Sequence, residues 1–227
     1  MKELQKQIIQ VLAERFAPYG FVKRSGNCFT RDISKNVWQR MEFPSSYYHP
    51  GVKAIYPEIA VGYKDEFNLE RKYFDLHWPF PNYTYNTFYT MLLNIVRTDD
   101  LCWRFRKEED IIPQIDDMTQ AIVKKAIPYM DYISDRKNLI AEMESGFIYS
   151  KLEAWCYRGL PIAYYLEGRK DLALWRLNYY IQKFEKELSG HMKEDENSNF
   201  TRGTRNKLQD YLEFAEKLKK VMETESR

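Results

Sequence analysis

The chain is poor in the residues from which most catalytic motifs are built. Its 227 residues include only 9 glycines, 3 histidines and 3 cysteines. Neither G-x-x-x-x-G-K-[ST] nor G-x-G-x-x-G occurs, so no phosphate-cradling loop is expected. G-x-S-x-G and H-E-x-x-H are missing too. Cys28, Cys102 and Cys156 stand far apart, odd in number and without zinc-site spacing, and read as reduced thiols. No apolar run approaches the ~18 residues that span a bilayer. The opening MKELQKQIIQVLAERF lacks the apolar core and small-residue cleavage site of a secretion signal. The expected location is the cytoplasm, with no membrane partner and no cofactor. A surplus of one charge is also lacking. The 35 Lys and Arg against 33 Asp and Glu leave a net +2, without the basic excess of a dedicated duplex binder.

What is abundant is aromatic. Tyr contributes 18 residues and Phe 13, far from the composition of a disordered chain. Leu4, Ile8, Val11, Leu12 and Phe16 recur at helical spacing and predict a first helix, stopped near Pro18. Strand-like sequence follows. Phe21–Arg24 and Cys28–Ile33 flank the turn signal Ser25-Gly26-Asn27. Val37–Phe43 alternates, with Gln39 and Met41 on one face and Trp38, Arg40 and Glu42 on the other. Ile55–Tyr63, interrupted by Pro57, reads as a third long strand and Tyr73–Trp78 as a fourth. Tyr85–Ile95 fits a short helix. From Ile111 onward the periodicity is helical, with a kink or stop at Pro128, a stop at Gly168, Asp171 as an N-cap and a polar loop over Ser189–Arg202. The expected fold class is α+β: an N-terminal helix on an antiparallel sheet in residues 1–110, then helical hairpins in 111–227 packed on it.

The most distinctive stretch is Phe16–Trp38. Gly20, Phe21, Lys23, Arg24, Gly26, Asn27, Phe29, Arg31 and Trp38 give a Gly-Phe, basic residues, a Gly-Asn-x-Phe-x-Arg hairpin and a tryptophan strand. This pattern resembles the start of a bacterial family known as domain of unknown function 4304, and covers about the first third of the chain. The resemblance implies a small bacterial immunity-type or accessory protein and supplies no catalytic residues.

Three functional expectations follow. The first is a non-enzymatic binding protein whose partner is another protein, using surplus tyrosines such as Tyr47, Tyr48 and Tyr179-Tyr180. The second is a single-stranded nucleic-acid module, in which Lys23, Arg24, Arg31 and Arg40 meet phosphates and Trp38 stacks a base. It requires the Trp38–Arg40 face to be open, whereas a covering layer is the favoured expectation. The third is a hydrolase-like site at Asp75 and His77, which share a strand face; no nucleophile or metal-ligand motif accompanies them. No metal site is expected. A protein partner is favoured over nucleic acid, and the sequence leaves the oligomeric state open.

Overall fold

The computed structural model describes residues 2–49, 51–74, 80–96, 102–145, 153–194 and 198–224. The chain is α+β. Eight strands are described: β1 (Val22–Lys23), β2 (Cys28–Asp32), β3 (Val37–Glu42), β4 (Ser45–His49), β5 (Val52–Ile55), β6 (Glu58–Tyr63), β7 (Phe88–Met91) and β8 (Trp103–Phe105). The α-helices are α1 (Lys2–Phe16), α2 (Lys64–Tyr73), α3 (Leu92–Val96), α4 (Ile111–Ala121), α5 (Ile127–Ile133), α6 (Arg136–Ser145), α7 (Glu153–Leu166), α8 (Lys170–Glu194) and α9 (Asn199–Thr224). Two compact units emerge. One comprises residues 1–64 and 80–139, the other residues 65–79 and 140–227. This division differs from the boundary expected at residue 110, because α4 and α5 carry the apolar residues Ile115, Met118, Met130 and Ile133 into the core of the first unit.

In the first unit, a five-stranded antiparallel sheet runs β1-β2-β3-β6-β7, beside a three-stranded sheet β4-β5-β8. The stretch Ile55–Tyr63, expected as one strand, is two strands in two different sheets. Pro57, which has no N–H to give a ladder, sits at the break, and its carbonyl accepts the Leu92 N–H (2.8 Å). Tyr85–Ile95 is likewise split into β7 and the single turn of α3. The expected strand at Tyr73–Trp78 begins at the last residue of α2, and its remainder falls outside the described residues, apart from Phe74.

The alternation of β3 sorts its side chains as anticipated. Phe29, Met41 and Ile59 are register neighbours on one face. The buried apolar stripe of α1, Leu4, Ile8, Leu12 and Phe16, belongs to the same core. Phe16 stacks on Phe43 at 5.7 Å, and Phe29 meets Phe43 edge-on at 5.4 Å. Arg15 of α1 pairs with Asp116 of α4 (2.8 Å), and the Trp103 indole donates to Asp117 (2.8 Å). Ahead of Pro128 the helix widens into a π-helical turn over Ile122–Ala126. Such a turn absorbs the backbone bond that proline cannot make.

The second unit contains α2 from Asp65 onward, the end of α6, and α7 to α9. Its centre is aromatic. The Tyr211 ring lies 5.5 Å from Tyr157, 5.2 Å from Phe184 and 5.6 Å from Phe214. Its hydroxyl donates to the Tyr157 carbonyl (3.0 Å). Gly168 ends α7 as expected, with the Arg169 N–H returning to the Tyr164 carbonyl (2.8 Å). Asp171, expected as the N-cap, is instead the second residue of α8, since the helix already begins at Lys170. The polar loop expected over Ser189–Arg202 is much shorter, since α8 runs through Gly190 to Glu194. Ser198 then caps α9, its hydroxyl accepting the Thr201 N–H (3.0 Å).

Candidate functional site

The basic-aromatic group singled out in the sequence does not form one open surface. Trp38 is only 8% exposed and donates its indole N–H to the Tyr85 carbonyl (3.3 Å). Arg40 is 6% exposed, donates to the Thr84 carbonyl (2.9 Å) and lies 3.4 Å from Glu42. The segment around Asn82–Tyr85 therefore caps this face, and neither residue is placed to meet a nucleic acid. Arg31 points to the other face. It bonds Gln39 (3.1 Å through Nε), pairs with Asp131 and lies over the Phe21 ring at 4.8 Å. Gln39 in turn donates to Asp131 (3.0 Å) and Ser134 (2.9 Å). This closed network ties α5 to β2 and β3. Arg24 donates to the Thr30 hydroxyl (2.7 Å). Tyr47 and Tyr48 belong to β4, but their side chains fall outside the described residues, as do Asp75 and His77 entirely. Of the other tyrosines, Tyr85, Tyr164, Tyr165 and Tyr180 are buried, Tyr83 is half-buried and Tyr179 is exposed.

The capped face carries one cluster that sequence parity alone did not reveal. Glu42 and Glu58 stand directly opposite each other on β3 and β6. Burial, then the Glu42 charge, holds the Glu58 carboxyl above its ordinary value, while a hydrogen bond with Tyr89 works against the rise. Burial and the bond to Glu58 push the Tyr89 hydroxyl up as well. Burial, reinforced by Glu42, raises the Cys28 thiol to about 11, which leaves it a thiol and not a nucleophile at neutral pH. A carboxyl raised in the fold weakens stability as pH climbs from the unfolded value through the folded one, and the penalty is complete above that. Glu58→Gln is therefore expected to stabilise the protein at pH 7 by about 0.2–1 kcal/mol, the size of a cross-strand pair term. The gain should vanish below about pH 4. Urea unfolding of both proteins across that range checks it.

The acidic run Glu108–Asp110 is structural. The Asp110 carboxylate accepts the Arg106 (2.8 Å) and Lys107 (3.2 Å) amides, and these bonds hold it below the usual carboxylate range. Among the described residues no three His, Cys, Asp or Glu side chains group to hold a metal ion. No described helix is long and apolar enough to cross a membrane.

The feature best formed for binding is a groove between α1 and the β1–β2 hairpin. It encloses about 610 Å³ and is lined by Lys6, Ile9, Ala13, Lys23, Gly26 and Asn27, with Gln5 and Gln10. Gln5, Ile9 and Ala13 follow one another at four-residue steps, so one strip of α1 forms the wall. Gly26, at φ +56°, makes the hairpin turn that a side chain would strain. β1 is the edge of its sheet. The Arg24 N–H bonds the Cys28 carbonyl (2.9 Å), which makes Lys23, opposite Phe29, the non-bonded position of the ladder. Its main-chain N–H and C=O consequently turn outward. The groove thus offers an apolar floor, two cationic rims and a strand edge, with no carboxylate, histidine or thiol among its lining residues.

No family model, no curated protein and no solved structure matches this chain. The fold and the groove stand on their own geometry. Of the residues singled out in the sequence, the groove takes Lys23 directly and the Gly26-Asn27 turn beside it. The wall from α1 carries no signal of its own in the sequence, since glutamines and a lysine make up most of it.

Proposed function

We propose that this chain is a non-enzymatic binding protein whose partner is another protein, and that the partner lays an extended segment along the open edge of β1. The observation that carries the reading is the groove itself. An outward-facing strand edge beside a shaped apolar cleft is the arrangement used in strand addition, where main-chain bonds give affinity and the cleft selects alternate side chains. Lys6 and Lys23, with no acid in the lining, favour a segment that carries acidic residues between apolar ones. The lining holds no carboxylate, histidine or thiol to act as a general base or nucleophile beside its lysines, which supports binding over turnover.

The resemblance of Gly20–Trp38 to the bacterial domain of unknown function 4304 fits this reading. Lys23, Gly26 and Asn27, three residues of that pattern, line the groove. An immunity-type or accessory role in a bacterial cytoplasm is the corresponding proposal. The experiment that tests it is capture of partners by the tagged protein after nuclease treatment. Filling the groove with Ala13→Arg, or reversing its rim with Lys23→Glu, is expected to lower recovery of the partner tenfold or more.

A further inference from the structure

The second unit carries a surface of a different chemistry. On α8, Trp175, Tyr179, Lys183, Lys186 and Lys193 follow one another at steps of four, four, three and seven residues, which one helix face collects, and Arg176 stands next to Trp175. Trp175 is 55% exposed and Tyr179 43%. Their rings stack with centroids 5.8 Å apart and planes 23° from parallel. The Arg176 guanidinium lies 4.8 Å from the Trp175 centroid and 5.6 Å from that of Tyr179. Beneath the helix surface, the buried Tyr164 hydroxyl donates to Glu144. Further along the same helix, Lys183, Lys186, Glu187, Gly190 and His191 border a cavity of about 460 Å³. Glu187 also lies 3.9 Å from Lys207 of α9. Asp171, four residues before Trp175, stands on the same face at the N-terminal end of the helix.

We propose that this face of α8 binds single-stranded nucleic acid. A flat, exposed ring pair suits an unstacked base, which is sequence-tolerant because every base has a π-face. Lysines spaced along the axis, with Glu187 the one carboxylate in the cavity lining and itself 3.9 Å from Lys207, suit a chain bearing one negative charge per unit. Trp175 and Lys186 are separated by roughly 16 Å at 1.5 Å per residue, so a strand stacked on the platform runs its phosphates past Lys183 and Lys186. A protein hot spot would share the rings but gains less from a row of lysines. The site is independent of the groove in the first unit, and either can fail without the other.

The test uses the full-length protein and a fluorescein-labelled oligothymidylate of about 20 residues, followed by anisotropy. Binding is expected to weaken roughly 20- to 50-fold between about 50 and 200 mM salt, as three or four neutralised phosphates dictate. Trp175→Ala should weaken it about tenfold, and Lys183→Glu with Lys186→Glu should flatten the salt dependence. These side chains lie on the surface, and an unchanged circular dichroism spectrum confirms folding of each variant. Two results would overturn the proposal. One is no binding at about 50 mM salt; the other is binding that Trp175→Ala and Tyr179→Ala leave unchanged, which reduces the face to nonspecific polyanion attraction.

Discussion

Tyr211→Ala is expected to destabilise the second unit by about 3–5 kcal/mol, the range for removing a large buried ring. Tyr211 is the hub of that unit. Its ring contacts Tyr157, Tyr180, Phe184 and Phe214, with centroids 5.2–6.0 Å away. These come from three helices, α7, α8 and α9, so one truncation opens the seam between all of them. Edge-to-face geometry, with interplanar angles of 79° to Tyr157 and 89° to Phe184, adds an attraction beyond burial. The hydroxyl matters less. Tyr211→Phe keeps the ring and loses only the bond to the Tyr157 carbonyl, a cost of about 0.5–1.5 kcal/mol. Urea unfolding by circular dichroism distinguishes the two variants. Equal costs for both would contradict a ring-centred core.

Gly62→Ala is expected to be the most damaging single-methyl change in the first unit. Gly62 sits opposite Trp38 in the ladder, and the indole lies across it. A Cβ there would fall 2.5 Å from Cζ2 and Nε1 and closer still to Cε2. The ring has little room to move, since it is buried and its N–H is bound to Tyr85. Overpacking of this kind costs about 1–3 kcal/mol, and displacing the indole adds the loss of its hydrogen bond, about 1 kcal/mol. A double-mutant cycle gives the check. In a Trp38→Leu background the same Gly62→Ala change should cost much less, because the overlapping atoms are gone. Additive costs would show that the clash is relieved elsewhere. Displacement of Trp38 would also loosen the Asn82–Tyr85 segment that caps it, so faster amide exchange at Tyr85 should accompany the loss.

These two residues mark the limit of what the sequence could show. The alternation of β3 placed Trp38 and Arg40 on one face correctly from parity alone, since a strand has a fixed period of two. It could not supply their partners. That Gly62 lies under Trp38, or that Glu58 faces Glu42, depends on cross-strand register, which joins residues 24 and 16 positions apart. Pro57 was legible as an interruption but not as the point where the chain changes sheets. α2 escaped notice because its buried side chains, Glu66, Phe67 and Leu69, make no apolar stripe of helical period. The reach of α8 past Gly190 was hidden by residues that favour loops yet tolerate a helix when its packing is strong. The groove was half legible. The Gly26-Asn27 turn and Lys23 stood out, while the wall from α1 became a wall only when the hairpin folded beside it. On α8 the row from Trp175 to Lys186 was written at helical spacing, but the neighbouring pair Tyr179-Tyr180 drew the reading towards tyrosine, and only one of the two is exposed.

The measurement that bears most directly on the central claim is quantitative capture of partners from nuclease-treated extract. It compares the wild-type protein, Ala13→Arg and Trp175→Ala side by side. The groove reading predicts one stoichiometric protein partner that Trp175→Ala retains and Ala13→Arg loses by tenfold or more. A partner recovered equally well by Ala13→Arg would show that the groove beside β1 is not where this protein meets it.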